Sequence, residues 1–187
     1  MNFELSPDQR AVRDNFARFC DERIAPQAAA LDEARAFPHA LFKELADLGF
    51  FGMRYPEEVG GSGMALSEFC LALQEVARGS MSLAGAVAMQ SLMGTKFLHM
   101  LGNADIVERL FKPALRGEKI GGICMTEPNA GSDLGSIATT ARKVDGGYLI
   151  NGQKTWITSA PVADFFTVFA KAGEEKKLTI FLVEKGF

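Results

Sequence analysis

Two segments concentrate the residues able to do chemistry: Cys124-Met-Thr-Glu-Pro-Asn-Ala-Gly-Ser-Asp133 and Asn151-Gly-Gln-Lys-Thr-Trp-Ile-Thr158. In the first, a strand is expected to end at Thr126, Pro128 to stop the ladder, and Ala130-Gly131-Ser132 to make a tight turn. Such a turn can show backbone N–H groups and two hydroxyls to the polar edge of a ligand. In the second, Trp156 and Thr158 stand two apart on an expected strand and so share a face. A flat aromatic beside a hydroxyl suits a planar heterocycle, stacked on one and hydrogen-bonded by the other. A plain hairpin with a core tryptophan and a proline loop fits the same residues, and residue types leave both readings open.

Most other chemistries find no support. The two histidines, His39 and His99, fall on separate expected helices without a carboxylate at ligand spacing, so no metal site is expected. Gly131-Ser-Asp-Leu-Gly135 has its serine in the second position rather than the third, and no helix pattern follows, which removes the nucleophile elbow. Gly147-Tyr-Leu-Ile-Asn-Gly152-Gln-Lys154-Thr155 falls one residue short of a phosphate-binding loop, because Gln153 is inserted and no helix follows. No Gly-x-Gly-x-x-Gly follows a strand, which leaves a Rossmann site unsupported.

The elements that must position these segments divide into two periodicities, changing near Gly117. Ser6-Pro7-Asp8-Gln9 reads as a capping box, followed by an apolar stripe of Val12, Phe16, Phe19 and Ile24 that Pro26 is expected to interrupt. A second helix starts at Pro38, buries Leu41, Phe42, Leu45 and Leu48, and stops at Gly49. A turn-rich loop spans 54–63, and an amphipathic helix spans 67–78 with Phe69, Leu73 and Val76 inward. Residues 82–101 are apolar nearly all round, as in a helix inside a bundle. Asn103 caps a last helix, bent at Pro113 and ended by Gly117. Beyond it the period becomes two, with strands expected at 119–125, 137–144, 148–151, 154–158, 165–171 and 178–183 and turns at Asp145-Gly146-Gly147 and Gly173-Glu174-Glu175. The expected class is α+β: an all-α domain over 1–116, then an antiparallel β domain over 117–187. That β domain ends on a strand and a turn with nothing to cover its sheet, as an incomplete one would.

Composition agrees with a globular chain. Of 187 residues 48% are apolar, and 23 acidic against 20 basic residues give a formal charge of −3. That balance offers no field for nucleic acid or an anionic membrane. Three scattered cysteines (Cys20, Cys70, Cys124) make no disulfide framework. The start has no basic and apolar signal regions, and residues 83–89 are far shorter than the roughly 20 a spanning helix needs. A cytoplasmic protein is the expectation.

The stretches TEPNAGSD at 126–133 and INGQKTWITSA at 150–160 resemble the paired signatures of the acyl-CoA dehydrogenase family. Leu5-Ser-Pro-Asp-Gln9 resembles the family's opening helix, and Leu48-Gly-Phe-Phe-Gly52 with Tyr55-Pro-Glu-Glu-Val-Gly-Gly-Ser-Gly63 resembles the loop leaving its second helix. The resemblance covers the whole chain. It implies an N-terminal helical domain and a middle β domain here, with the family's C-terminal four-helix bundle absent.

The resemblance also implies roles. FAD is the cofactor, with Ile123, Met125, Thr126, Gly131 and Ser132 lining the flavin and Thr126 offering its hydroxyl to the ring's polar edge. Ser132 stands where cofactor and the pantetheine arm of an acyl-CoA substrate meet. Trp156 covers the ring, Ile157 is a further cofactor-binding residue, and Thr158 bonds near the atom that accepts hydride. Ser159 stands where the family more often has Asn. The implied reaction oxidises an acyl-CoA thioester to the trans-2-enoyl thioester, by α-proton abstraction and hydride transfer. The catalytic base is expected in the C-terminal part, so no residue of this chain is assigned to it; Glu57, Glu58 and Glu127 match other positions, and Glu127 reads as a hydrogen-bonded loop carboxylate. An electron-transferring flavoprotein as acceptor and a homo-oligomer, tetramer or dimer, are implied as partners. Small residues Ala84, Gly85 and Ala88 either leave room for a bulky acyl group or let helices pack closely. Two alternatives share the fold: an oxidase relative that passes electrons to oxygen, and a non-catalytic truncated relative acting as an interaction domain.

Overall fold

The computed structural model describes residues 4–187; residues 1–3, where the segment read as lacking a signal begins, lie outside them. The chain divides into a helical unit ending at Lys119 and a β unit from Ile120 to Phe187.

In the helical unit, α1 (Pro7–Phe19) opens on the expected capping box: Gln9 N–H donates to Ser6 Oγ and Ser6 N–H to Gln9 Oε1, each at 3.1 Å. Pro26 does not break the helix as expected. A π turn (Cys20–Ile24) leads into α2 (Ala25–Ala34), whose first turn takes the proline where a missing N–H costs little. Next, α3 (His39–Asp47) ends at Gly49, whose φ of +81° permits the left-handed exit. Arg78, on α4 (Leu66–Gly79), reaches Asp21 at 2.6 Å and Glu75 at 2.8 Å, tying α4 to the π turn. The core between them is aromatic, with Phe42 and Phe51 centroids 4.5 Å apart and Phe50 and Phe69 5.2 Å apart.

Residues 82–101 are not one helix buried on every side. They form α5 (Met81–Met89), a π turn (Gln90–Gly94) and α6 (Lys96–Leu101). Leu83, Val87 and Leu98 are buried, while Met81, Met100 and Leu101 stand at 74%, 60% and 67% exposure, so the unit covers one side only. Buried Gln90 explains the widened turn: its Nε2 donates to the carbonyls of Ala114 at 3.1 Å and Lys119 at 2.8 Å. Asn103 Oδ1 caps α7 (Ala104–Ile106), and a π turn (Val107–Phe111) passes into α8 (Lys112–Leu115), which takes Pro113 in its first turn.

The β unit has five strands: β1 (Gly121–Cys124), β2 (Thr140–Val144), β3 (Gly147–Asn151), β4 (Phe165–Ala172) and β5 (Lys177–Glu184). The sheet is mixed, which corrects the antiparallel expectation. Strands β2–β3 and β4–β5 are antiparallel hairpins, but β1 and β2 both run parallel to β4, at 165–168 and 171–172 respectively. Long connections over 125–139 and 152–164 give the chain the length to return and re-enter in the same direction. No strand forms at 154–158, and β2 begins three residues later than expected. Both departures have their cause in the site.

Candidate functional site

Strand β1, buried throughout, delivers the chain to Met125 and Thr126, which are half-buried. The tight turn then falls earlier than expected, at 127–130: Glu127 N–H donates to Ala130 O at 2.8 Å and Ala130 N–H returns to Glu127 O at 3.2 Å. Gly131 and Ser132 follow the turn and are exposed.

The Glu127 side chain points inward and organises both segments. Its Oε2 accepts the Ala138 N–H at 2.6 Å, and its Oε1 accepts the Thr139 N–H at 3.0 Å and the Lys154 ammonium at 2.9 Å. Those two N–H groups are thereby taken from the ladder, which explains why β2 starts only at Thr140. Lys154 Nζ also donates to Met125 O at 3.0 Å, and Thr155 N–H to Thr126 O at 3.0 Å. The Glu127 and Lys154 side chains are 5% and 10% exposed. Burial pushes the Glu127 carboxyl up, but Thr139, Lys154 and the Ala138 and Thr139 N–H groups outweigh it and set the pKa at about 2. Thr139 Oγ1 is a buried atom with no hydrogen-bond partner among the described residues. Burial likewise pushes the Cys124 thiol up to about 11, against the pull of Lys154, so it holds no useful thiolate.

Lys154 drawn inward forbids the expected strand. Gly152 sits at φ +155°, where an added Cβ would lie 2.3 Å from Thr139 Oγ1. Trp156 and Ser159 take left-handed backbones at +57° and +65°. Trp156 therefore does not share a strand face with Thr158, and it is no core residue: it is 89% exposed. Its neighbour Ile157 is half-buried over β1, with Cγ2 3.7 Å from where a Gly122 Cβ would stand. A left-handed non-glycine backbone costs roughly 1–2 kcal/mol, and displaying an indole to water forgoes its large burial gain. Such an outlier, held by the bonds around it, makes Trp156 a candidate for contact with a ligand.

Of the sequence-assigned residues, Ile123 is buried on β1, while Thr126 and Trp156 are brought together by the Thr155–Thr126 bond. The hydroxyls of Thr126, Ser132 and Thr158 make no hydrogen bond among the described residues; Ser132 and Thr158 are exposed and Thr126 is half-buried. Glu127 is the hydrogen-bonded loop carboxylate expected; both its oxygens are engaged, so it is no free base. Sequence reasoning missed Lys154. The available signal was a lysine next to small and aromatic residues, with an acidic residue at the matching place in the other segment.

The helical unit has a cleft of about 580 Å³ whose lining includes Leu31, Arg35, Pro38, Ser80, Ser82 and Leu83, with no residue from either motif segment. On α5, Ala84 is buried against its neighbours, as close packing requires. Gly85 differs: nothing lies within 4 Å of a Cβ built there. Among the described residues no helix is long and apolar enough to cross a membrane, and no three metal-ligating side chains cluster.

Residues 6–118 match the family model of the acyl-CoA dehydrogenase N-terminal domain and residues 122–187 that of the acyl-CoA dehydrogenase middle domain. Benzylmalonyl-CoA dehydrogenase of Aromatoleum aromaticum is 86% identical over 185 residues, covering 99% of this chain and 49% of that protein. A 3-(aryl)acrylate reductase of Clostridium sporogenes is 40% identical over 171 residues, covering 89% and 45%. A glutaryl-CoA dehydrogenase of Mycobacterium smegmatis, solved in complex with FADH2, superposes with a TM-score of 0.91 at 27% identity, covering 97% of this chain and 46% of that one. The chain thus spans about half the length of the relatives it matches.

Proposed function

The chain belongs to the acyl-CoA dehydrogenase family, and from that membership we propose that it forms the N-terminal and middle portion of an FAD-dependent enzyme oxidising an aryl-substituted acyl-CoA thioester. The observation that supports a flavin most is Trp156, an exposed indole in a left-handed backbone, two residues from Thr158 and next to Thr155, whose N–H bonds the Thr126 carbonyl. That set fits a flat heterocycle with polar edges. FAD, when bound, supplies the acceptor for the β-hydride.

The chain's own residues bind and orient. Thr126 and Thr158 would hold the ring's polar edge, each through a contact worth roughly 0.5–1.5 kcal/mol net. Trp156, with Ile157 beneath it, would cover the ring and keep water away. Ser132, past the turn, would reach the pantetheine side. Proton removal from Cα needs a base of ordinary carboxylate strength or above, and Glu127 at about 2 is both engaged and too weak. That step is assigned to a carboxylate outside these residues, with an electron-transferring flavoprotein as acceptor.

The aryl substrate class rests on the 86% identity to a protein named for a benzyl-substituted malonyl thioester. The full-length protein should purify with FAD and bleach anaerobically with benzylmalonyl-CoA faster than with butyryl-CoA. Absence of bound flavin would overturn the cofactor reading; preference for butyryl-CoA would overturn the substrate class alone.

A further inference from the structure

We propose that Glu127 and Lys154 are the positioning pair of the flavin site, a buried ion pair that sets the Thr126 segment against the Trp156–Thr158 segment so that a cofactor meets both in one geometry. The proposal rests on the FAD reading above.

The two segments are not joined by a ladder. One backbone hydrogen bond, Thr155 N–H to Thr126 O, spans them between 125–127 and 154–156. The rest of the connection is made by side chains: Lys154 to Glu127 at 2.9 Å and Lys154 to Met125 O at 3.0 Å. Glu127 is in turn anchored by the N–H groups of Ala138 and Thr139, which fix its position from β2's side. A buried ion pair is a poor choice for stability, since well-packed apolar residues of similar volume often do as well or better. What it provides is direction. Each bond has a preferred distance and angle, and together they leave the two segments one relative placement.

Neither side chain is open to a ligand, so both act through neighbours: Glu127 follows Thr126 directly, and Lys154 precedes Trp156 by two residues. Around bound metals, supporting contacts of this kind typically change affinity or activity about 10- to 100-fold when lost, and the same scale is expected here.

The test uses the full-length protein with Lys154→Met, Lys154→Gln and Lys154→Arg, each checked for folding by far-UV circular dichroism. Lys154→Met should raise the FAD dissociation constant about 10- to 100-fold and alter the visible circular dichroism of bound flavin. Lys154→Gln, which keeps donors but loses the charge, should fall between, and Lys154→Arg should recover most of the affinity. In flavin-free protein, amide exchange over 125–139 and 154–160 should rise together in Lys154→Met. Should that variant not fold, Lys154→Gln carries the same comparisons. A folded variant with wild-type affinity and flavin spectrum would overturn the proposal, as would faster exchange in one segment alone. Wild-type protein that takes up no FAD would overturn the cofactor reading instead, while the exchange data still judge the pair.

Discussion

At the scale of single residues, the site trades stability for display. Trp156 occupies a backbone that suits glycine and gains almost nothing from burial. Trp156→Gly should therefore stabilise the flavin-free protein by up to about 1 kcal/mol in urea unfolding while weakening FAD binding; a destabilised variant would mean that the indole is packed in solution. Glu127 contributes with the opposite sign. Its folded pKa of about 2 lies below its ordinary 4.5, so its stabilisation is present above about pH 5 and is lost as pH falls toward 2. The shift corresponds to about 3 kcal/mol. Unfolding of the β unit followed from pH 6 to pH 2.5 should show the loss, and Glu127→Gln should flatten that part of the profile.

At the scale of elements, the packing of Gly152 against Thr139, at the entry to β2, is the most constrained joint in the site. Gly152→Ala would place a Cβ 2.3 Å from Thr139 Oγ1 and 2.7 Å from its Cα, at a φ that disfavours side chains. It should cost about 3 kcal/mol in chemical denaturation, and an unchanged midpoint would refute the contact. This joint also shows where sequence reasoning fails. In a strand, alternation would put Lys154, Trp156 and Thr158 on one face, yet the lysine is inside and the tryptophan outside. Alternation reports faces only where the charged residue seeks water, and Lys154 finds Glu127 instead. The same carboxylate delays β2, an effect invisible to any local window. Elements closed by local chemistry were legible: the Ser6 capping box, the Gly49 exit and the Asn103 cap all stand where their residues placed them. Proline misled at position 26, because a π turn resets the helix and makes that residue a first-turn proline.

At the scale of the whole molecule, the change from helical to strand period near Gly117 was legible, while the sheet's pairing was not. Hairpins follow from turn residues, but the parallel neighbours of β4 depend on connections of more than ten residues with no local signal. Apolar surface is also exposed on α5 and α6, at Met81, Met100 and Leu101, besides Trp156. Residues 1–187 expressed alone should bind FAD weakly, associate or aggregate, and leave flavin unbleached by acyl-CoA thioesters. Stoichiometric flavin that bleaches anaerobically would require a proton acceptor within these residues.

Trp156 is the only tryptophan among the 187 residues. Excited near 295 nm, where tyrosine absorbs little, the chain therefore emits from one place. With no packing around the indole, that emission should be red-shifted in the free protein. A flavin stacked on it should quench it almost completely, by energy transfer over a few ångströms. Titration, stopped-flow mixing and anisotropy then all report on one side chain, with no label to attach and no background from the rest of the chain to subtract.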